Sequence, residues 1–585
     1  MEDVGDQFVK ILLMNSFFQD AEIDEYGEIK RFKMHDLMHD LAAMVAGNDY
    51  FYLDSEATEV KGRPMHVSLE SNAIHLLESL DPSRLRTLIL PYNFVKEKYL
   101  SVAKFKYLRV LKMGGFCFFN FSENLKHLRY LEAFEQPPSL PKYMSNLVFL
   151  QTLKLKNCDE ESFSEVVTKL VNLRWLEVFD YESLSGMAVG WGKLLSLLQF
   201  LPIFVVRDSQ KTRCGTLNEL KDLNLRGNLE IKHLDRVRDV ALESRDVNLK
   251  EKKFLQSLTL HWSRDHFPSR EANRNHERFQ LLENLQPHRN LKRLTGEWYP
   301  GQHFPNWLSL LTNVVHITLL EFQNCPCLPP LERLPSLKSL EIESLEELEY
   351  IDLDEDDSAV TFFPSLESLK LEFCSNLRGW RRRGDDINEN SHNLSLPLSF
   401  PRLSQLHVSF CPKLTSMPTF PKVKDLEWRR SSAELLIATL NSTVLTCSAD
   451  SSSSAAPLSM LKQLTISGPT DFPKGWIQNL TSLESLEIIW SENETLEEFE
   501  TWFKDDTNCL PSLRQIRIYF CQNLKASPDW ICNLDSKSDL IQNLTSLVAS
   551  AYQNSKSNIA ERSLSRLTNC IAARRNESSY QLKDL

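Results

Sequence analysis

Leu150-Gln151-Thr152-Leu153-Lys154-Leu155-Lys156-Asn157-Cys158 carries the pattern that decides the fold. Leucines stand at the first, fourth and sixth places, and the last two keep the two-residue period of a strand. The same leucine-x-x-leucine-x-leucine spacing recurs at Leu85/Leu88/Leu90, Leu108/Leu111/Met113, Leu128/Leu131/Ala133 and Leu173/Leu176/Val178. It continues less regularly at Leu198/Leu201/Ile203 and near Leu229/Ile231. It returns at Leu255/Leu258/Leu260, Leu291/Leu294 and Ile317/Leu320/Phe322. A last series runs through Leu337/Leu340/Ile342, Leu366/Leu369/Leu371, Leu403/Leu406/Val408, Val423/Leu426/Trp428, Leu461/Leu464/Ile466, Leu483/Leu486/Ile488 and Leu513/Ile516/Ile518.

The early copies lie 20 to 23 residues apart, inside the leucine-rich-repeat range. A strand this short cannot bury both faces alone. Each repeat therefore stacks its leucines on the next, and the strands align into one curved parallel sheet. The expected fold is α/β, a leucine-rich-repeat solenoid over residues 85–530 preceded by a partial winged-helix segment. Residues 61–84 are expected to be a linker, and residues 531–585, where the template fades, a degenerate tail. Longer polar stretches between strands, such as Ser263 to Asn290 and Glu341 to Asp357, are expected to leave the solenoid as loops of solvated charge.

The first 60 residues differ. Phe8, Val9, Leu12, Leu13 and Phe17 mark an amphipathic helix with an acidic first turn, which suits the helix dipole. Two short runs around Gly27 predict a β-hairpin. Met34, Leu37, Met38, Leu41, Met44 and Val45 then recur at the spacing of an apolar helical face. Asp36 is the expected cap of that helix, and its Met-rich face is expected to pack on the hairpin and the first helix. Helix, hairpin, helix is the back half of a winged-helix domain.

Charge narrows the partners. Lys and Arg number 67 against 79 Asp and Glu, a formal charge of −12, which argues against broad nucleic-acid binding because that affinity comes from neutralising phosphates. Protein partners are expected. No apolar run reaches the roughly 18 residues that cross a bilayer, and the acidic opening Met1-Glu2-Asp3 is the reverse of a secretory signal. The expected location is cytoplasmic, with the nucleus as a second compartment.

Five of the 12 cysteines, Cys158, Cys325, Cys374, Cys411 and Cys521, fall three residues after the last apolar strand position, where a repeat of this kind buries a small side chain. They are expected to be structural thiols. His35 and His39 have the i, i+4 spacing of zinc-protease helices, yet the base position holds Asp36 and no third ligand lies near. No metal site is expected. Gly186-Met187-Ala188-Val189-Gly190-Trp191-Gly192-Lys193-Leu194 imitates a phosphate loop, but its spacing is one residue too long and the Mg²⁺-binding hydroxyl is replaced by Leu194. Without a nucleophile motif either, catalysis is not expected. One slot, two residues after the last apolar strand position, is aromatic in Trp262, Phe373, Phe410, Trp490 and Phe520. Stacked repeats would set these in a row as partner-binding anchors, unless they pack under adjacent loops.

The combination of a helix-hairpin-helix ending in Lys33-Met34-His35-Asp36-Leu37-Met38-His39-Asp40-Leu41-Ala42 with leucine-rich repeats resembles the plant intracellular immune receptors that join a coiled coil, an NB-ARC nucleotide-binding module and leucine-rich repeats. Phe17-Phe18-Gln19-Asp20 and Leu220-Lys221-Asp222-Leu223-Asn224-Leu225-Arg226-Gly227 are similar to the RGA group among them. The resemblance covers residues 1 to about 525. It implies that Met34-His35-Asp36 is the Met-His-Asp motif closing the winged-helix part of NB-ARC. There His35 would read the β-phosphate of ADP, and Asp36 would support the closed state. The coiled coil, phosphate loop and Mg²⁺-binding acids of complete members are absent, so the chain is expected to be an N-terminally truncated receptor holding neither ADP nor ATP. The resemblance implies plant defense through a protein ligand: a pathogen effector, a guarded host protein, or the NB-ARC module of a relative. The alternative is a leucine-rich adaptor of a ubiquitin ligase, which would need an F-box where the winged helix stands.

Overall fold

The computed structural model describes residues 2–23, 29–57, 59–60, 62–90, 102–113, 124–133, 140–156, 160–179, 186, 190–206, 216–263, 274–322, 324–352, 363–381, 400–417, 420, 422–432, 435–436, 460–467, 480–489 and 512–519. Two compact units share the chain: Met1–Ser269 with Gln280–Leu294, and Arg270–Phe279 with Thr295–Leu585.

The first unit opens with α1 (Glu2–Met14), β1 (Phe18–Ile23), β2 (Ile29–Met34) and α2 (Asp36–Ala46). The hairpin is antiparallel, with Phe18 opposite Met34 and Ile23 opposite Ile29, and it is pinned by the stacked rings of Phe18 and Phe32, 4.3 Å apart. Two expectations fail here. The cap of α2 is His35 rather than Asp36: His35 is extended, and its imidazole accepts a hydrogen bond from the Leu37 amide. Nor is the Met-rich face buried among the described residues. No residue of α2 is buried, and Leu37, Met44 and Val45 are 68%, 73% and 78% exposed.

Parallel strands follow at once: β3 (Tyr50–Leu53), β4 (His66–Leu69), β5 (Thr87–Ile89), β6 (Val110–Met113), β7 (Tyr130–Ala133), β8 (Thr152–Lys156) and β9 (Trp175–Phe179). They pair in sequence order as a seven-stranded sheet. Residues 61–84 are thus no linker. They hold β4 and a 3-10 segment, Ser71–Ser79, that buries Ala73, Leu76 and Leu77. The ladder passes over Phe200, bridged to Trp175, to β10 (Ile203–Val205), β11 (Arg226–Lys232) and β12 (Phe254–His261), again parallel.

β13 (Arg293–Glu297) precedes the regular part of the second unit. That unit's strands are β14 (His316–Leu320), β15 (Ser339–Glu343), β16 (Tyr350–Asp352), β17 (Ser368–Glu372), β18 (Gly379–Arg381), β19 (Gln405–Ser409), β20 (Asp425–Arg429), β21 (Gln463–Ser467), β22 (Ser485–Ile489) and β23 (Gln515–Tyr519). All but β16 and β18 form one parallel ladder, and those two pair separately. This is a leucine-rich-repeat fold of the α/β class.

Alternation builds each strand. In β8, Leu153 and Leu155 are buried beside Leu131 and Ala133 of β7, while Thr152, Lys154 and Lys156 stay on the other face. Burying one leucine contributes roughly 1.5–3 kcal/mol, and each repeat supplies several.

The expected register is off by one repeat feature near residue 317. Ile317 and Leu319, not Leu320 and Phe322, face inward, opposite Leu340 and Ile342. Phe322 instead occupies the slot three residues after the strand's last inward side chain, shared by Tyr299, Leu345, Cys374 and Cys411, all buried. Its ring fills the space beside Gly296, where a Cβ would lie 2.5 Å from the Phe322 ring. Cys374 and Cys411 therefore occupy the expected cysteine slot and Cys325 does not, although it too is buried and bonds the Gly301 carbonyl. Burial pushes the Cys325 thiol up from its ordinary range. Cys158, Cys521 and residues 531–585 lie outside the described residues.

Candidate functional site: the solvent face of the parallel sheets

Strand pairing sets the side chains that alternate with the buried leucines into rows. In the first unit one row reads Lys112, Glu132, Lys154, Glu177 across β6 to β9. Lys112 Nζ lies 2.8 Å from Glu132, and Lys154 Nζ 2.8 Å from Glu177. The row two residues earlier adds donors: the Tyr130 hydroxyl donates to Glu132, and the Trp175 indole N–H to Glu177 at 3.2 Å. Phe200 stacks on Trp175 at 3.7 Å and 10°. Glu132 is only 5% exposed, which its two partners make tolerable. Every charge in this row has its counterpart.

The second unit is arranged differently. Its central row reads Thr318, Glu341, Lys370, His407, Glu427, Thr465, Glu487 across β14 to β22. Lys370 Nζ sits 2.7 Å from Glu341, 2.9 Å from Glu372 and 3.5 Å from Glu343. Burial draws its pKa down, but the bonds to Glu341 and Glu372 prevail and hold the ammonium well above its ordinary value. One cation faces three carboxylates. Beside it His407 Nδ1 lies 2.6 Å from Glu427, and Arg429 Nε approaches the same carboxylate at 2.5 Å. Burial raises the Glu427 pKa, yet the bond to His407 and the proximity of His407, Arg429 and Lys370 hold it below the usual range. Burial and the neighbouring Glu427 push Asp425 up, with His407 as a partial offset. Glu341 and Glu343, expected as loop charge, are strand residues facing this cluster.

The aromatic candidates separate. Phe373 and Phe410 come together, ring centroids 4.5 Å apart at 20°, with Phe373 42% exposed. Trp262 is corrected: it is 2% exposed and belongs to the core, because its ring turns inward beyond β12. Trp490 and Phe520 lie outside the described residues.

Met34 ends β2, His35 caps α2 and Asp36 is the helix's first residue. The Leu37 amide donates to His35 Nδ1 at 3.2 Å, so the ring proton is on Nε2. The false phosphate loop has an occupant from the same chain. The amides of Gly190 and Gly192 each donate at 2.8 Å to one oxygen of the Glu219 carboxylate. A side chain at 192 would meet the Glu219 backbone oxygen at 2.2 Å. Among the described residues no three His, Cys, Asp or Glu side chains converge as a metal set, and no helix is long and apolar enough to cross a membrane.

Residues 1–42 match the family of disease resistance protein winged helix domains, and residues 217–345 match the R13L1/DRL21 leucine-rich repeats. The chain is 30% identical over 437 residues to the putative disease resistance protein RGA4 of Solanum bulbocastanum, covering 73% of this chain and 40% of that protein. Putative disease resistance protein RGA1 of the same species is 31% identical over 501 residues, 84% of this chain and 45% of the relative. Putative disease resistance RPP13-like protein 1 of Arabidopsis thaliana is 29% identical over 572 residues, 90% and 50% respectively. This chain's homologues are RGA- and RPP13-like plant disease resistance proteins. It spans about two fifths to half the length of these disease resistance relatives. Among solved structures, a Leptospira interrogans leucine-rich-repeat protein aligns with TM-score 0.37 and 18% identity, over 78% of this chain and 90% of that one. The disease-resistance winged helix is the segment that holds Met34, His35 and Asp36, and the R13L1/DRL21 match begins two residues before Glu219.

Proposed function

We propose that this chain is the recognition and regulatory leucine-rich-repeat portion of an intracellular plant immune receptor, acting in defense in the cytoplasm or nucleus by binding a protein. The ligand classes are a pathogen effector, a guarded host protein or the NB-ARC module of a receptor. The carrying observation is the solvent face of the second unit's ladder. Rigid buried leucines fix rows of polar side chains whose acids outnumber their partners around Lys370. A pre-organised polar face of this kind gives specificity and recruits a charged partner quickly. The match of residues 1–42 to the disease resistance winged helix supports the receptor reading over the ubiquitin-ligase adaptor.

Photo-crosslinking in plant cells tests this. A benzophenone side chain at position 407 or 465, on the sheet face, should capture a discrete protein that the same group at 413, on a turn, does not. Equal capture at all three positions, or none, overturns the reading.

No enzymatic step is proposed, and by itself the chain is proposed to hold neither ADP nor ATP. The nucleotide-sensing role that resemblance assigns to Met34, His35 and Asp36 is left to a receptor that supplies the phosphate cradle. One charge-assisted hydrogen bond contributes about 1.5–3 kcal/mol, whereas even 1 mM affinity needs about 4 kcal/mol. Calorimetry with ADP should show no binding, and micromolar affinity would contradict this.

A further inference from the structure

We infer that the second unit carries an arginine-recognition site, in which a guanidinium from the protein partner lies on Phe373 beside Glu343 and Glu372. The inference rests on the sheet face being the recognition surface and names the chemistry of what it takes.

The site follows from one repeated backbone feature. The residue after each strand adopts the left-handed conformation, with φ of 57° at Ser344, 53° at Phe373, 54° at Phe410 and 43° at Arg430. None of these is glycine, so each position is strained unless its surroundings hold it. What holds them is the ladder. Ser344, Phe373 and Phe410 each donate their amide to the last residue of the next strand, at 2.9, 3.0 and 2.9 Å from Glu372, Ser409 and Arg429. Side chains leaving equivalent positions of β15, β17, β19 and β20 therefore stand one behind another at the spacing of the sheet.

That spacing makes a stack. Phe373 and Phe410 lie nearly parallel, 4.5 Å apart, and the Arg430 guanidinium covers the far side of Phe410 with its carbon 5.2 Å from the ring centroid. The molecule already shows that a guanidinium seats on this stack from one end. At the other end the slot belongs to Ser344, whose side chain is too short to cover Phe373, and Phe373 stays 42% exposed. A planar cation would continue the stack there. Arg is the natural occupant, because its guanidinium stacks flat on a ring while its edge donates to carboxylates, which an ammonium cannot do together.

Charge points the same way. Glu343 and Glu372 immediately precede Ser344 and Phe373, and with Glu341 they share Lys370, which leaves a local surplus of two negative charges among the described residues. At the Arg430 end, Arg429 and His407 already surround Glu427, so only the Ser344 end calls for a cation.

Fluorescence anisotropy with the full chain decides the matter. The probes are a labelled Gly-Ser-Arg-Gly-Arg-Ser-Gly peptide and its lysine and citrulline counterparts. The arginine peptide should bind at least about threefold more tightly than the lysine one, and the citrulline peptide not detectably. Phe373→Ala should erase the arginine preference. Ser344→Phe should abolish it by filling the slot, and this variant folds because phenylalanine already takes that conformation in the next two repeats. Lysine binding equal to arginine, or a preference that survives both substitutions, overturns the inference. Crosslinking at 407 with no arginine preference leaves the protein-binding proposal standing and removes only this one. An arginine preference without crosslinking does the reverse.

Discussion

The two units use the same leucine ladder and opposite charge arrangements. In the first, Lys112, Glu132, Lys154 and Glu177 alternate, and Tyr130 and Trp175 complete the carboxylates' bonds, so the face is closed on itself. In the second, three carboxylates converge on Lys370 and an exposed phenylalanine stands beside them. A closed row contributes to rigidity, whereas an unbalanced one keeps interaction free energy available for a partner. The first unit also uses cations to hold turns, one of them, Lys252, buried. Lys104 Nζ donates to the carbonyls of Glu78 and Leu80, and Lys252 Nζ to those of Leu220 and Leu223 at 2.7 Å each.

The sharpest separation of the units is by pH. Lys252 is 3% exposed, and burial pulls its pKa down from 10.5 to about 8, with Asp222 a partial offset. Between those values the unfolded chain binds more protons than the folded one, so stability rises as pH climbs from about 8 to 10.5. The gain approaches roughly 3 kcal/mol for the full shift. The protection of the β11 and β12 amides, taken relative to exchange of the unstructured chain at the same pH, should rise over that window, and β19 should not share the effect. Lys252→Met should flatten the pH dependence. Protection at β11 and β12 that is unchanged or lower above pH 8 would show that the ammonium is not held as described.

Removing one cation from each face tests the contrast in charge. Lys370→Met leaves three carboxylates crowded without their shared donor, at a cost of about 2 kcal/mol. Lys154→Met leaves Glu177 with the Trp175 donor and costs below about 1 kcal/mol. Urea midpoints measured at neutral pH should rank the variants in that order. Equal losses would mean that the second unit's surplus is screened and offers nothing to a partner.

Much of this was legible before the strands were placed, and the failures have physical causes. Period two at Leu153 and Leu155 survives any tertiary context, because a one-residue slip would turn every leucine to water. The slip near residue 317 arose where Ile317, Leu319, Leu320 and Phe322 are all apolar and Gly296 in the preceding strand carries no side chain to mark the inward place. The Lys370 cluster was not legible, since Glu341 lies 29 residues away and only the ladder brings it alongside. Trp262 and Phe373 share one sequence slot, but composition cannot say which ring turns inward. The aromatic pair at Phe373 and Phe410 was found by that same slot rule.

The smallest effect concerns the winged-helix end. His35 caps α2 through Nδ1, a task that asparagine performs and alanine does not. His35→Ala should therefore cost about 1 kcal/mol in the opening of α2, read as faster amide exchange at Leu37 and Met38, while His35→Asn should match the parent. Because α2 buries no residue, nothing else in the described unit masks the loss. If alanine and asparagine variants exchange alike at Leu37, the imidazole is not the cap, and its conservation of geometry at the Met34-His35-Asp36 corner would have to come from the extended backbone alone.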